Sequence, residues 1–277
     1  MKTLNDFLQM KKSGEKIVML TAYDYPSALL AQESGVDIVL VGDSLGMVVL
    51  GYDSTVPVTM ADMIHHSRAA RRGAKDTFMI TDMPFLSYQI SPAQALENAG
   101  RLVQEGGCEA VKVEGGEEIA PQVRALVRAG VPVCAHIGLT PQSATALSGY
   151  KVQGRTAEAA AKLLKDALAL EEAGAFMIVL ECIPVQVAEL ISKRLSIPTI
   201  GIGAGVACDG QVLVHHDTLG LFDRFTPKFV KRYETLGAKA RDALAAYARD
   251  VRDGVFPGPE HTFNMNESEV QRIYGDS

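Results

Sequence analysis

The chain has no excess of positive charge. Its 27 lysines and arginines are outnumbered by 33 aspartates and glutamates, which gives a formal net charge of −6. Proteins that bind nucleic acid or anionic membranes present clustered basic side chains to a negatively charged partner. We therefore expect neither nucleic acid nor a membrane among the partners of this protein.

Cysteine is scarce as well. The four cysteines, Cys108, Cys134, Cys182 and Cys208, lie far apart, and no Cys-x-x-Cys pair is present. Zinc and redox sites typically use such pairs, so we expect reduced thiols, most of them buried. Cys182 follows a candidate catalytic glutamate, and a redox-sensing role there is the less favoured alternative to inert packing.

Long apolar runs are also missing. No stretch approaches the roughly 18 uninterrupted apolar residues of a membrane-spanning helix. Residues 1–16 contain four lysines, one aspartate and one glutamate, and they lack the apolar centre of a secretory signal. A cytoplasmic location is the resulting expectation.

The sequence does contain a regular alternation of apolar runs and helical patterns over its 277 residues, 47% of which are apolar. The last connection between strands is short, with little room for a helix. The patterns predict strands at residues 16–23, 38–43, 78–83, 110–114, 131–137, 176–181, 198–202 and 212–214. They predict helices at residues 25–35, 59–73, 91–105, 117–129, 156–173, 185–195 and 227–252.

Eight strands separated by helices indicate a parallel sheet with right-handed crossovers. Eight repeats favour closure into a (β/α)8 TIM barrel over a doubly wound sheet. We expect a single barrel domain, residues 1–263. Residues 264–277 form a tail that is either disordered or docked on a neighbouring subunit.

Ionisable and hydroxyl side chains recur at the carboxyl ends of the predicted strands. In a barrel these ends meet at one mouth, which is where active sites of this fold lie. Lys112 and Glu114 are two positions apart in one predicted strand, so their side chains point to the same face. The candidates are Asp43, Ser44, Asp82, Lys112, Glu114, His136 and Glu181.

Three of these residues offer carboxylate oxygens without a cysteine or a histidine pair nearby in the sequence. Asp43, Asp82 and Glu114 are therefore candidate ligands of a hard divalent cation, with Mg²⁺ favoured. Each aspartate taken singly has an equally good explanation as a cap of the turn after its strand. The set of three favours the metal.

The other candidates also have two interpretations each. Lys112 has apolar neighbours and needs a partner, which is either an anionic substrate or Glu114 or Asp82 in a structural ion pair. Glu181 ends an apolar strand and is either a general base or a cap of the next helix. His136 is a substrate contact that donates a proton or orients a neighbour, or a structural histidine.

Two further patterns are weak. The GIGAG run at residues 201–205 lacks the Lys-Ser/Thr pair of a phosphate-binding loop, and close approach of the backbone explains it equally well. The pairs His65-His66 and His215-His216 do not have convincing metal-ligand spacing, and we interpret them as surface or packing residues.

Several longer motifs resemble those of the ketopantoate hydroxymethyltransferase family, in the same order. The similarity runs from about residue 16 to residue 263, and a set of long motifs is far more specific than a single glycine loop. The motifs are TAYDY (21–25), VGDSLGM (41–47), DSTVPVT (53–59), VKVEGG (111–116), HIGLTPQS (136–143), GYKVQGR (149–155) and GIGAG (201–205).

The resemblance implies a barrel of the phosphoenolpyruvate/pyruvate type and a Mg²⁺-dependent enzyme of pantothenate biosynthesis. It implies transfer of a one-carbon unit from 5,10-methylenetetrahydrofolate to 3-methyl-2-oxobutanoate, which gives 2-dehydropantoate and tetrahydrofolate. A homodecamer is the usual bacterial assembly of such enzymes.

Carried over position by position, the resemblance gives Asp43 and Asp82 as metal ligands and Glu114 as a further ligand, either directly or through water. The contacts to the ketoacid are Asp43, Ser44, Asp82 and Lys112. Glu181 is the proton acceptor.

Two other functions compete. A related lyase of the isocitrate lyase and phosphoenolpyruvate mutase type would share the barrel and metal, but it should have a Lys-Cys pair in an active-site loop, and this chain has none. A catalytically silent binding or scaffolding barrel is the second alternative. Retention of the acidic residues together with Glu181 argues against it.

Overall fold

The chain folds into a closed eight-stranded barrel in the computed structural model, which describes residues 1–146 and 149–275. Every neighbouring pair of strands is parallel, and β1 pairs with β8 to close the ring. The predicted (β/α)8 barrel is confirmed. The strands are β1 Ile17–Thr21, β2 Ile38–Val41, β3 Phe78–Asp82, β4 Ala110–Glu114, β5 Val133–Gly138, β6 Met177–Glu181, β7 Thr199–Ile202 and β8 Gly210–Leu213.

Helices follow most of the strands and cover the outside of the barrel. Their first turns show the expected caps, for example Thr59, whose hydroxyl accepts from the Asp62 N–H at 3.2 Å. The helices are α1 Leu4–Ser13, α2 Tyr25–Glu33, α3 Leu45–Val48, α4 Met60–Gly73, α5 Pro92–Arg101 with a π turn at Leu102–Gly106, α6 Ala120–Arg128, α7 Ala157–Glu172, α8 Val185–Arg194, α9 His215–Thr218, α10 Leu236–Arg252 and α11 Glu267–Tyr274.

Several predicted elements differ from the structure by a few residues at their ends, and the helix predicted at residues 227–252 differs most. Strand β8 begins at Gly210, two residues before the predicted start. The predicted helix at 227–252 begins only at Leu236. Residues 222–229 instead lie across the barrel mouth, where Phe229 packs on the apolar interior. Pro227 also has no N–H for a helical hydrogen bond, so a helix through it would be weak.

The N-terminal segment forms a helix that the sequence patterns did not predict. Helix α1 has a complete capping box between Thr3 and Asp6. Its Phe7 is fully buried against Phe78 of β3, with ring centroids 5.2 Å apart in an edge-to-face arrangement. Met10 is also buried. The helix therefore closes the amino-terminal end of the barrel with apolar side chains.

The polar residues lie at the opposite end. Strands β3 and β4 are buried at all five positions, as expected for strands covered on both faces. Their interior positions change from apolar residues near α1 to Asp82, Lys112 and Glu114 at the carboxyl ends. This burial leaves charged side chains without bulk water and forces them to pair with one another.

Three of the four cysteines are buried, Cys182 is half-buried, and none forms a disulfide, as predicted. No helix among the described residues is both long and apolar enough to cross a membrane.

Strand β8 follows β7 without a crossover helix, and Asp209 holds this short connection. Its Oδ2 accepts hydrogen bonds from the backbone N–H and the hydroxyl of Thr199, at 2.8 and 2.9 Å. The same oxygen lies 2.7 Å from Nζ of Lys11, which also donates to the carbonyl oxygen of Ser192. The side chains of Lys11 and Asp209 are only 14% and 16% exposed. Asp209 thus ties α1 to the last two strands.

We expect Asp209→Ala to lower the free energy of unfolding by about 2–3 kcal/mol, because it leaves a half-buried ammonium and a backbone N–H without an acceptor. Urea denaturation followed by circular dichroism measures the change. Asp76→Ala is the matched control, since Asp76 is exposed, and surface changes usually stay within about 0.5 kcal/mol. Equal unfolding midpoints for the two variants would show that Asp209 does not stabilise the barrel.

Candidate active site

Asp43 and Asp82 stand side by side at the ends of β2 and β3. Strands β2 and β3 pair in parallel, which brings their carboxyl ends together. The backbone N–H of Asp43 donates to Oδ2 of Asp82 at 3.0 Å. Both side chains are buried. The abrupt change from apolar strand to carboxylate in the sequence therefore marks the floor of the barrel mouth.

Ser44 follows at the first turn of α3. Its hydroxyl lies 2.9 Å from the hydroxyl of Tyr23, which comes from the end of β1 and is fully buried. This contact orients Ser44 beside Asp43, at the rim of a cavity that opens at the barrel mouth. The seven predicted site residues all line this cavity.

Lys112 is the central cation of the site. Its Nζ lies 3.2 Å from Oδ1 of Asp82 and 3.8 Å from Oε1 of Glu114. The side chain is 6% exposed. Burial alone would favour the neutral amine, but the carboxylates of Asp82 and Glu114 outweigh it and raise the pKa of Lys112. Lys112 is thus held charged.

Glu114 is fixed by residues that the sequence analysis did not select. Its backbone N–H donates to the hydroxyl of Tyr88 at 2.9 Å, and its Oε2 accepts from the backbone N–H of Gln142 at 3.0 Å. The amide nitrogen of Gln142 donates to Oδ2 of Asp43 at 2.9 Å. Gln142 therefore bridges two carboxylates. Gln142 lies in the HIGLTPQS motif, so its place in that motif could have identified it as a site residue.

His136 of β5 connects this group to Glu181 of β6. Its Nδ1 lies 3.4 Å from Oε1 of Glu114 and 3.2 Å from Nζ of Lys112, and its Nε2 lies 3.2 Å from Oε2 of Glu181. Burial and Lys112 oppose protonation, but Glu114 and Glu181 outweigh both and raise the pKa of His136 to about 9. An imidazolium at this position is attracted to both glutamates, although its Nε2 makes no hydrogen bond of good geometry.

The charges of this group do not balance. We call Asp43, Asp82, Glu114 and Glu181 the carboxylate cluster. Its four carboxylates face one ammonium and one imidazolium. Burial, followed by the charges of Asp82 and Glu114, raises the pKa of Asp43 well above its usual range. Burial also raises the pKa of Asp82, although Lys112 opposes it. The site lacks positive charge.

Glu114 responds differently. Burial pushes its pKa upward, but the hydrogen bond and charge of His136, together with Lys112, outweigh burial and lower the pKa. Glu114 therefore stays ionised, and the deficit of positive charge is concentrated at the two aspartates.

A divalent cation fits this donor set. Oδ1 of Asp82 is buried and makes no hydrogen bond of good geometry, although Lys112 lies 3.2 Å away. Carboxylate oxygens are the preferred ligands of hard cations. Within residues 1–146 and 149–275, however, no three histidine, cysteine or acidic side chains are already arranged to hold a metal. As they stand, Asp82 and Glu114 contact the ammonium of Lys112, so any metal site must include a shift of these side chains.

A cavity of about 350 Å³ lies above the carboxylate cluster. The loop after β2 contributes Met47 and Thr55 to its wall, and the loop after β5 contributes Leu139 and Tyr150. Both loops are long, and such loops commonly cover active sites. The side chain of Glu181 is 14% exposed, which makes it the most accessible carboxylate of the cluster.

The weak sequence patterns have structural explanations. Gly203 has a φ of +63°, and a Cβ there would lie 2.8 Å from Cδ1 of Phe229, so close packing requires glycine. His66 lies with Nδ1 2.6 Å from the carbonyl oxygen of Tyr23. His215 is buried beside His216, with ring centroids 5.3 Å apart. Neither pair belongs to a metal-binding group among the described residues.

Comparison with solved structures shows the same fold in distant proteins. Phosphonopyruvate hydrolase, in a structure with oxalate and Mg²⁺, has a TM-score of 0.62 at 14% identity and covers 99% of this chain and 95% of its own. A 2,3-dimethylmalate lyase of the phosphoenolpyruvate mutase/isocitrate lyase superfamily has a TM-score of 0.57 at 16% identity, with the same coverage.

Sequence comparison gives much closer relatives. The 3-methyl-2-oxobutanoate hydroxymethyltransferase of Heliobacterium modesticaldum is 60% identical over 272 residues, which are 98% of each chain. The enzyme of the same name from Bacillus cereus is 58% identical over 275 residues, 99% of each chain. The family model for ketopantoate hydroxymethyltransferase matches residues 1–259. The chain therefore belongs to the ketopantoate hydroxymethyltransferase family.

Proposed function

We propose that this protein transfers a hydroxymethyl group from 5,10-methylenetetrahydrofolate to 3-methyl-2-oxobutanoate and so makes 2-dehydropantoate for pantothenate biosynthesis. The observation that carries the proposal is the carboxylate cluster, buried around Lys112 and His136, with Glu181 open to the cavity. Family membership supplies the reaction.

Asp43 and Asp82 would hold the divalent cation, which we propose is Mg²⁺, and Glu114 would support it directly or through water. When bound, the cation supplies positive charge that stabilises the negative charge developing on the ketone oxygen of the substrate. The cation would also compensate the excess negative charge of Asp43 and Asp82.

The ketoacid would lie on the floor of the cavity, with Ser44 at its edge. Lys112 is charged and would attract the substrate's anionic oxygens and offset the charge that develops during reaction. The carboxylates of Asp82 and Glu114 hold the ammonium in place. This arrangement orients the substrate before the proton is removed.

Glu181 would remove the proton from C3 of the ketoacid. Its Oε2 lies 3.2 Å from Nε2 of His136, a contact that would position the carboxylate for accepting the proton. The electron pair left on C3 then forms the new bond to the one-carbon unit of the folate. Water supplies the hydroxyl oxygen as both bonds from that carbon to the folate nitrogens break. The two protons of the water go to those nitrogens, and the proton held by Glu181 goes to the new hydroxyl. The loops after β2 and β5 would limit access of bulk water.

The assembly and location of the protein are further proposals. The four reduced thiols support a cytoplasmic location. A homodecamer, which the family resemblance implies, is supported by α10, which buries none of its 17 residues and exposes Leu244, Tyr247 and Val251. An apolar helix face of this kind is typical of a subunit contact.

The proposed reaction is tested by incubating the protein with 3-methyl-2-oxobutanoate and 5,10-methylenetetrahydrofolate, with and without a chelator. We expect 2-dehydropantoate only when divalent metal is available, measured by mass spectrometry. Absence of product from metal-loaded protein would reject the reaction. Undiminished product after complete metal removal would reject the metal requirement.

Glu181→Gln should slow exchange of the C3 proton with deuterated solvent by about 100- to 10,000-fold, because the amide cannot accept the proton. Proton NMR of 3-methyl-2-oxobutanoate measures the rate, and calorimetry should show largely unchanged ketoacid binding. Glu189→Gln on the exposed face of α8 is the matched control. Exchange at the wild-type rate in Glu181→Gln would remove this residue from the role of base.

Asp82→Asn should weaken metal-dependent ketoacid binding by about tenfold or more, because it replaces a charged oxygen ligand and leaves Lys112 with less compensation. Calorimetric titration of the ketoacid at fixed Mg²⁺ measures the loss. Asp76→Asn, at an exposed site, should bind as the wild type does. If Asp82→Asn keeps full affinity with metal, Asp82 is not a ligand.

The exposed face of α10 gives a further prediction. Leu244 is 67% exposed in the single chain, and Leu244→Glu would place a charge in any subunit contact made by this face. We expect sedimentation velocity to show smaller species than the wild-type assembly. Asp242→Glu, on the same helix, is the control. Identical sedimentation of Leu244→Glu and the wild type would exclude this face from the interface.

A further inference from the structure

One carboxylate in the cavity wall has no role in the reaction as described so far. Of the described residues that line the cavity, five carry carboxylates, and four of these form the carboxylate cluster. The fifth is Asp217 on α9, which is 8% exposed. Among the described residues, no side chain or backbone N–H donates to its carboxylate, and no cation lies within ion-pair distance of it.

The carboxylate oxygens of Asp217 have no donor among the described residues and are not fully enclosed, so they remain accessible from the cavity. Burial raises the pKa of Asp217 to about 6, with only a weak opposing effect of Arg232. A buried acceptor without a donor is costly, and native proteins normally satisfy it. Because this carboxylate faces the cavity, a ligand with N–H groups is the natural partner.

Aromatic side chains of the segment that follows α9 line the same cavity. Phe222, Phe225 and Phe229 line it from the segment between α9 and α10. Arg232 holds this segment by donating to the carbonyl oxygen of Phe222 at 3.3 Å and to the hydroxyl of Thr226. Phe225 is 61% exposed, although it borders the cavity. A flat ring system would cover such a face by stacking.

This wall lies on the side of the barrel that adjoins the proposed base. Asp217 follows β8, and β7 separates β8 from β6, which carries Glu181. Phe229 packs over Gly203 at the end of β7, where Sγ of Cys182 also approaches. A ligand held between Asp217 and Phe229 would therefore extend toward Glu181, where the new carbon–carbon bond must form.

We propose that Asp217 and the Phe222, Phe225 and Phe229 side chains bind the pteridine ring of the folate co-substrate. The pyrimidine edge of that ring presents a ring N–H next to an exocyclic amino group. Two parallel donors of this kind match the two oxygens of a carboxylate, as a guanidinium does. This inference rests on the proposed function, since it assigns the site of the second substrate.

The test is Asp217→Asn, which keeps the side-chain shape but replaces one acceptor oxygen with a donor. We expect the KM for 5,10-methylenetetrahydrofolate to rise by about tenfold or more, because a charged hydrogen-bond pair is lost. The KM for the ketoacid and the rate of C3 proton exchange without folate should stay at wild-type values. Asp223→Asn, which lies outside the cavity and pairs with Arg241 at the surface, is the matched control.

A ligand change separates recognition from a structural effect. Tetrahydrofolate and its analogue without the 2-amino group are titrated into the wild type and into Asp217→Asn by calorimetry. The wild type should bind tetrahydrofolate about tenfold or more tightly than the analogue, and Asp217→Asn should lose most of this preference. Phe225→Ala should weaken both ligands alike, because stacking does not depend on the amino group.

The outcomes distinguish this inference from the proposed function. If the wild type makes no 2-dehydropantoate, the reaction itself is rejected. If it makes product and Asp217→Asn has an unchanged KM for the folate, or keeps its preference for the 2-amino group, the assignment of Asp217 is wrong. A loss of C3 exchange in Asp217→Asn would also overturn it, because the residue would then act on the ketoacid.

Discussion

The burial of three carboxylates, with a fourth at their edge, around two cations is the constraint on which the rest of this structure depends. Asp43, Asp82, Glu114 and Glu181 face Lys112 and His136 at the mouth of a barrel whose opposite end is closed by apolar residues. Such a group is unstable without exact placement of its members, because each ion has lost most of its water. The surrounding hydrogen bonds supply that placement.

The supporting residues explain how the barrel tolerates this charge. Gln142 contacts both Asp43 and Glu114, and Tyr88 fixes the backbone of Glu114. These contacts tie the loop after β5 to strands β2 and β4. The remaining deficit of positive charge falls on the two aspartates, where a divalent cation fits best. The same residues therefore matter for stability and for function. Contacts within the barrel compensate most of the charge of the carboxylate cluster, and the proposed cation would compensate the negative charge that remains.

The two ends of the barrel have different roles: one stabilises the fold and the other contains the cavity. At the amino-terminal end, α1 inserts Phe7 against Phe78, and Lys11 pairs with Asp209 beneath the short β7–β8 connection. At the other end, the segment after α9 lies over the cavity and is held mainly through Phe229 and Arg232. A rigid base with a cover built from loops would suit the proposed reaction, in which a small ketoacid and a larger folate must both enter.

The sequence by itself determined the barrel, because the period of its apolar runs and the caps between them are local properties that survive in the fold. It also determined which residues reach the mouth: the end of a strand is visible in the sequence, and all seven candidates line one cavity. Their roles as ligands, substrate contacts and base stay predictions.

Only the tertiary structure decided the partners of those residues. The sequence placed neither Gln142 nor Tyr88 in the site, because each acts through a contact with a residue far away in the chain. It gave α10 nine residues too many at its start, and it missed α1, since the burial of Phe7 depends on the open end of a barrel that a linear pattern does not show. Long-range contacts, which cost chain entropy and depend on three-dimensional packing, are what local patterns cannot specify.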